Sequence, residues 1–419
     1  MQKGNKLIVI NSAPYETRVA TLESGILVEF LLERGDDRNI IGNIYKGRVI
    51  RVLPGMQAAF VDIGMEKAGF LYAGDFVTPE ISFDSDENGD FSQEIDVHAA
   101  RYPQEQYIPP IEGLIREGQH LIVQVAKEPL GTKGARITSH ITLPGRYLVL
   151  LTWSGHIGIS RRIEDPEERE RLHAIVENIR LDGMGSIVRT AAEGKTEGEL
   201  KADMDYLVRH WDTIRKKSES VSAPALIHRE LSLSLRAVRD LFTADMDRIV
   251  VDSEEEYVRI RDFASQFFPR LRDRIELYPG QQPIFEHYGI EIELARALDK
   301  KVWLKSGGYI VIEQTEALTV IDVNTGKYVG RSSLEETTVK INLEAVKEIV
   351  YQLRLRNIGG IIIIDFIDMK NEENREKVYQ ALIDALRADR SKTTICKISE
   401  LGLVEMTRKR VRESLVRSL

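Results

Sequence analysis

One cysteine, Cys396, stands in a chain of 419 residues. That excludes an intramolecular disulfide framework and any cysteine-cluster zinc site built within one chain. Also missing is any run of eighteen apolar residues; Ile361–Ile364 reads as a buried strand and not a membrane span. Leu7-Ile-Val-Ile10, behind the polar start Met-Gln-Lys-Gly-Asn-Lys, is too short an apolar core for a signal peptide. No internal repeat is visible. A cytoplasmic location is the expectation these absences support. Net positive charge is missing too: the balance is −8 at pH 7, which at first argues against a nucleic-acid partner. The deficit is local. Between Glu80 and Glu117 ten acidic residues meet two arginines, and outside that stretch basic and acidic residues balance. The stretch, with Asp84-Ser-Asp-Glu-Asn-Gly-Asp90 and two proline-containing pieces, has the composition of an exposed, disordered insertion. Global charge is therefore a poor guide to partners here.

What is present is ordinary globular composition, 42% hydrophobic and 30% charged, in a chain long enough for two to four domains. Residues 7–33 read as a two-strand hairpin. Five short strands cut by glycine follow, over 43–52, 57–64, 68–71, 121–127 and 135–138, and suit a small Greek-key barrel. Tyr147–Trp153 and Ile157–Ser160 read as another hairpin. A helix over 165–178, a strand over 186–190 and helices over 196–220 and 224–242 come next. The remainder alternates strand and helix, with a basic helix at the end, so the second half is α/β.

Two strands in that half carry the most chemistry. Leu318-Thr-Val-Ile-Asp-Val-Asn324 and Gly359-Gly-Ile-Ile-Ile-Ile-Asp-Phe-Ile-Asp-Met369 are apolar β-formers that end on acidic groups. Asp322 and Asn324, two apart, point to one face of a strand. The second strand, apolar on both faces, is expected to be central and to deliver Asp365 to its C-terminal end. Oxygen ligands at strand ends suit a hard cation such as Mg²⁺, which keeps several waters and needs one or two carboxylates. A lone strand-end Asp is more often a turn former or a helix cap. Asp368, opening a polar run before a helix, is read as such a cap.

The anchors Asn43-Ile-Tyr-Lys-Gly-Arg-Val49, Ala58-Ala-Phe-Val-Asp-Ile-Gly64, Gly158-Ile-Ser-Arg-Arg-Ile163, Ile187-Val-Arg-Thr-Ala191, Thr315-Glu-Ala-Leu-Thr-Val-Ile-Asp-Val-Asn-Thr-Gly326, Asn342-Leu-Glu-Ala345 and Gln352-Leu-Arg-Leu-Arg356, with the Asp365 strand, are collinear and unusual. Through them the chain resembles, essentially end to end, the ribonuclease E/G family of endoribonucleases, in its shorter ribonuclease G-like branch. The resemblance implies a multidomain α/β (α+β) fold. An RNase H-like part (1–38 and 237–298) would be interrupted by an S1-like OB-fold RNA-binding domain (39–139) and a sensor of RNA 5′ ends (140–236). A DNase I-like catalytic part (299–419) would follow.

The implied activity is Mg²⁺-dependent hydrolysis of single-stranded, A/U-rich RNA, with Mn²⁺ an acceptable substitute, leaving 5′-phosphate and 3′-hydroxyl ends, in rRNA processing and mRNA decay. Asp322 and Asp365 fall on the family's metal-binding aspartates and Asn324 on a supporting asparagine. No histidine is near these strands in sequence, which favours an activated water over a histidine base, and two carboxylates with one amide favour one metal over two. In the barrel the resemblance makes Phe60 and Phe70 base-stacking residues and Lys133 a phosphate contact; for an isolated phenylalanine the core is the competing reading. Arg189 and Thr190 match the pair that binds a terminal phosphate, and Gly145 and Val149 the positions beneath the terminal base. A surface ion pair is the usual alternative for such an arginine. Arg408-Lys-Arg-Val-Arg412 is left without a role.

Family members continue into a Cys-x-x-Cys motif that shares zinc between subunits. With Cys396 alone, this chain reads as a truncated form or a natural variant lacking that link, and the expectation is no zinc and a monomer or at most a weak homodimer. The reading from another class is a non-catalytic RNA clamp that keeps only the barrel and sensor.

Overall fold

The structure, a computed structural model, describes residues 6–35, 40–77, 108–129, 134–160, 162–242, 246–267, 269–326, 334–387, 389, 391–396, 399, 403–409 and 414–418. Contacts divide the chain into two compact units: Met1–Leu32 with Ala244–Ala264 and Phe268–Leu419, and Glu33–Thr243 with Ser265–Phe267. The two-strand hairpin expected over 7–33 is a three-strand meander, β1 (Lys6–Ala13), β2 (Glu16–Glu23) and β3 (Ile26–Arg34). Two tight turns make it so. The second, Ser24-Gly25, has both residues at positive φ, the backbone that matches the twist of a hairpin.

The second unit begins with β4 (Ile44–Leu53), β5 (Ala58–Asp62), β6 (Gly69–Tyr72), the short helix α1 (Ile111–Leu114), β7 (His120–Lys127) and β8 (Arg136–Thr138). Their neighbours run β4-β5-β6-β8-β7, and β7 pairs back onto β4, closing a five-stranded barrel consistent with an OB-fold. Val49, Val61, Leu71, Val123 and Ile137 fill it. Ile111 and Ile115 are buried in the same core. The end of the acidic stretch is therefore barrel structure and not loose insertion, because these two isoleucines point inward. The rest of that stretch, from Glu80 to 107, and Lys133 lie outside the described residues.

β9 (Thr142–Pro144), β10 (Leu148–Leu151), β11 (Ile157–Ile159) and β12 (Gly185–Val188) form a four-stranded sheet ordered β11-β12-β10-β9. The hairpin expected from the second and third of these does not form; β12 lies between them, parallel to β11 and antiparallel to β10. α2 (Pro166–Ile179) starts where Asp165 accepts from the Glu167 amide and Pro166 presets the first turn. α3 (Glu197–Ser220) opens on a Thr196/Glu199 capping box and buries Leu200, Met204, Leu207 and Ile214 at helical spacing. The helix expected over 224–242 is shorter. Ala225–His228 is a strand, β13, bonded to β4, and only α4 (Leu233–Leu241) is helical.

The chain then returns to the first unit. β14 (Arg248–Val251) pairs in parallel with β1, and after α5 (Glu254–Phe267) β15 (Ile275–Leu277) pairs with β14, giving the order β15-β14-β1-β2-β3. The single helix expected from 284 is two, α6 (Ile284–His287) and α7 (Ile290–Leu298), because Gly289 at φ 69° ends the first. β16 (Lys301–Trp303), β17 (Tyr309–Gln314), β18 (Leu318–Asn324), α8 (Leu334–Leu355), β19 (Gly360–Asp365), α9 (Glu372–Leu386), β20 (Thr393–Ile395), β21 (Leu403–Arg408) and α10 (Leu415–Ser418) complete the chain. The six strands are ordered β16-β17-β18-β19-β21-β20, so β19 is central as expected.

Where a basic helix was expected near the end, 403–408 is a strand. Its alternate residues Val404, Met406 and Arg408 are buried, a period of two that no helix has. α8 and α9 cover one face of this sheet through Ile341, Ala345, Ile349, Val378 and Leu382, against Ile321, Ile362 and Ile364. Each such fully buried aliphatic side chain stabilises the fold by about 1.5–3 kcal/mol. Among the described residues no helix is long and apolar enough to cross a membrane.

Candidate functional site

The open face of the six-stranded sheet carries the acidic groups. Along β18, Thr319, Ile321 and Val323 are buried while Val320 and Asp322 are exposed. β19 repeats the alternation and ends on exposed Asp365. The two strands pair in parallel so that Asp322 is the register partner of Asp365, which puts both carboxylates side by side on one face. Asn324 donates from Nδ2 to Asp322 Oδ2 at 2.8 Å. The structure thus brings together all three residues singled out in sequence. Burial raises the Asp365 carboxyl above its ordinary range, and the charges of Asp322 and Asp368 push it further up. Asp368 is therefore part of the acidic neighbourhood. It is not the expected helix cap: α9 begins at Glu372, and Asn371 caps it by accepting from the Glu373 amide at 2.9 Å.

Two residues with no role assigned from sequence fix the segment after Asp365. Asn342, fully buried on α8, donates to Ile367 O at 2.9 Å and accepts from Ile367 N at 3.1 Å. Glu335, in the first turn of α8, accepts from the amides of Lys370 (3.3 Å) and Asn371 (3.2 Å) and from Asn374 Nδ2 (3.0 Å). An asparagine beside Ile341 on the buried stripe of a helix was the legible signal for the first. Asn342→Leu strands one amide and one carbonyl. Urea unfolding is expected to show a loss of about 2–4 kcal/mol, and an unchanged midpoint would mean the clamp carries no stability.

On the barrel, Phe60 and Phe70 are register partners, neither in the core, with ring centroids 5.5 Å apart and edge-to-face. Arg51 pairs with Phe60 and Arg136 with Phe70, so one row across four strands reads Arg-Phe-Phe-Arg. Tyr72 extends it, 4.6 Å from Phe70 and beneath the Arg136 guanidinium at 5.2 Å. An aromatic surface bordered by cations is what unpaired bases and their phosphates meet.

In the four-stranded sheet, Arg189 follows β12 and is anchored twice. Its Nη1 donates to Gly145 O at 2.6 Å and its Nη2 to Asp240 Oδ1 at 2.7 Å. The Thr190 hydroxyl shares a 2.9 Å hydrogen bond with Ser160 Oγ. Val149, by contrast, is buried with Leu151 and Ile187. Burial pushes the Asp240 carboxyl up, but Arg239 and Arg189 outweigh it and hold the group well below the usual carboxylate range. The loop with Gly145 is held by Asp203, whose buried carboxylate accepts from the amides of Arg146, Tyr147 and Leu148 at 3.2, 2.9 and 2.9 Å. A Cβ on Gly145 would sit 2.6 Å from that carboxylate, so glycine is required there. Asp203 and Asp240 act only through the tertiary fold. Asp203, buried on α3 between Leu200 and Met204, left a trace in the sequence as an acidic residue on an apolar stripe.

Among the described residues no cluster of three or more His, Cys, Asp or Glu side chains is arranged to hold a metal. Two carboxylates and an amide remain, a donor set that fits a cation retaining most of its waters.

An exposed aromatic surface flanked by arginines and a pair of facing carboxylates are the two candidate sites of the chain. Comparison with protein families makes this specific: residues 142–411 match the Ribonuclease E/G family, and the chain belongs to it. It is similar to Ribonuclease G of Haemophilus influenzae, 49% identical over 97% of this chain and 80% of that protein, and to Ribonuclease G of Escherichia coli K12, 48% identical over the same shares. Ribonuclease E of Haemophilus influenzae is 39% identical over 98% of this chain but only 42% of its own length.

Proposed function

We propose that this chain, an RNA-cleaving enzyme by family, is an Mg²⁺-dependent endoribonuclease of single-stranded, A/U-rich RNA, stimulated by 5′-monophosphate ends and acting in rRNA processing and mRNA decay. The observation that carries the proposal is the in-register pairing of Asp322 with Asp365, with Asn324 hydrogen-bonded to the first. Burial, and then the charges of Asp322 and Asp368, raise Asp365, and a divalent cation would offset that repulsion. When bound, Mg²⁺ supplies Lewis-acid stabilisation of the phosphate and activates water. Asp322 and Asp365 hold it, while Asn324 orients Asp322. The phosphodiester is opened to leave a 5′-phosphate and a 3′-hydroxyl. In this reading 1–38 with 237–298 is the RNase H-like part, 39–139 the S1-like domain, 140–236 the 5′ sensor and 299–419 the DNase I-like catalytic part. Phe60, Phe70 and Lys133 contact the RNA on the S1-like domain.

For the 5′ end, the Arg189 guanidinium and Thr190 hydroxyl bind the terminal monophosphate. A triphosphate is bulkier and leaves charge unmatched. Gly145 and Asp240 keep the guanidinium in one orientation, which lowers the cost of ordering it. The test uses fluorescent single-stranded RNA with a 5′-monophosphate or a 5′-hydroxyl, in Mg²⁺ or EDTA. Cleavage in Mg²⁺ alone, faster on the monophosphate, is expected. Arg189→Gln should cut the ratio of the two rates by roughly tenfold or more, and Asp240→Asn should lower it as well. Because both substrates meet the same folded enzyme, the ratio is blind to stability. Equal wild-type rates would sink the sensor; tight binding without cleavage would favour an RNA clamp.

A further inference from the structure

The sheet face that bears Asp322 and Asp365 continues outward over β17 and β16. Tyr309 is the register partner of Asn324, and Trp303 of Tyr309; one row along, Val311 partners Asp322, and Lys301 partners Val311. Register partners stand on the same face of a sheet, so Trp303, Tyr309 and Lys301 share the face of the carboxylates. Two strand spacings, about 10 Å, separate β16 from β18. Trp303 is 62% exposed. Its ring meets Tyr309 at 5.3 Å and 63°. The Lys301 ammonium lies 3.6 Å from the Tyr309 centroid and 4.1 Å from that of Trp303.

Folding does not account for this group. The inward residues of the segment are Val302 and Leu304, which pack into the core, and among the described residues Trp303 belongs to no buried cluster. A lysine on an edge strand protects the edge from pairing; an exposed tryptophan beside it does the reverse. What the pair does provide is a π surface with a positive charge attached, within reach of the acidic site.

We propose that Trp303, Tyr309 and Lys301 form a nucleotide subsite, which takes a base and its phosphate on the RNA strand whose scissile bond lies at Asp322 and Asp365. The base stacks on Trp303, with Tyr309 buttressing the indole, and Lys301 neutralises the adjoining phosphate. Stacking of this kind tolerates any base, since every base has a π face. The occupant is single-stranded RNA: the lysine charge complements a polyanion, and the surface is continuous with the carboxylates that process it. A second protein copy would gain nothing from a lysine laid over the aromatic pair. The subsite rests on the endoribonuclease reading for its register on the strand, and its test separates the two.

Binding is measured by fluorescence anisotropy of a labelled single-stranded RNA in EDTA, on Asp365→Asn protein carrying Trp303 as tryptophan, phenylalanine or alanine. Trp303→Ala should weaken binding roughly 5- to 100-fold, with phenylalanine recovering most of it and thermal unfolding unchanged. Walking one abasic nucleotide along the RNA should find a position near the cleavage site where the alanine variant and its parent bind equally. With wild-type catalytic residues, Trp303→Ala should raise KM by a similar factor and leave kcat within about twofold. Equal affinities for all three proteins would overturn the subsite even if cleavage is robust. A protein that never cleaves but loses RNA affinity with Trp303→Ala would sink the nuclease reading while the stacking site stands. A shift in oligomeric state with no change in RNA affinity would overturn it in favour of contact between copies.

Discussion

Asp365→Asn is expected to lower kcat by roughly 10²- to 10³-fold, the scale seen when one preorganised electrostatic group is removed from an active site, with RNA affinity in EDTA nearly unchanged. β18 and β19 hold the two carboxylates in register on an exposed face. Asparagine keeps the shape and removes the charge. Without metal, the variant should melt no lower than wild type, and somewhat higher, because the burial of a charged carboxylate and its like-charge contacts with Asp322 and Asp368, which raise Asp365, are gone. Mg²⁺ should raise the melting temperature of the wild type, as any ligand specific to the native state does, and should do so much less for the variant. Activity and stability then move in opposite directions, the mark of a site held against its own repulsion. A variant that loses stability in parallel with activity would identify Asp365 as a structural residue.

The second large effect is on stability. Arg408, on β21, is buried; its Nε and Nη2 donate to the two oxygens of buried Asp389 at 2.7 and 3.1 Å, and its Nη1 donates to Ile358 O at 2.8 Å. Arg408→Met leaves a carboxylate buried without its cation, which typically costs about 3–5 kcal/mol. Replacing both, Arg408→Met with Asp389→Leu, should recover much of the loss, since an apolar pair of similar volume is often neutral. β21 is the hydrogen-bonded neighbour of β19, with Leu403 opposite Asp365. The single variant should therefore also lose activity at temperatures where it is still folded. Chemical denaturation of the two variants decides the matter: equal losses would mean the ion pair itself contributes nothing beyond packing.

That arginine also marks where sequence reasoning failed. Arg408 opens a run of basic residues, and its charge on an inward position breaks the period-two pattern that Val404 and Met406 begin. Ala225–His228 was missed for a different reason: four residues behind a proline hold too little periodicity to tell strand from helix. The carboxylate strands were legible because Leu318–Asn324 and Gly360–Asp365 alternate or saturate cleanly with β-formers and end at glycine or polar turns. That the two aspartates face each other was not legible. It depends on a parallel pairing made across the whole of α8. The same holds for the surroundings of Arg189: Asp240 comes from 51 residues away, and no local pattern announces a partner at that distance. Phe60 and Phe70 were legible as strand residues, but their pairing with each other and with the flanking arginines is set by the strand register across the barrel.

The meander that opens the chain is completed only by a strand from far downstream: Lys6 N donates to the Asp247 carboxylate, 241 residues on, and β14 then zips in parallel onto β1. Closing so long a loop is slow relative to local folding. During synthesis, the barrel and the four-stranded sheet have their strands to hand before β14 exists, and domains generally fold as units in the order they emerge. β1, apolar along most of its length, must therefore wait with one edge open while more than two hundred residues are made. The order of assembly is thus written into the connectivity, with the segment inserted between β1 and β14 maturing before those two strands meet.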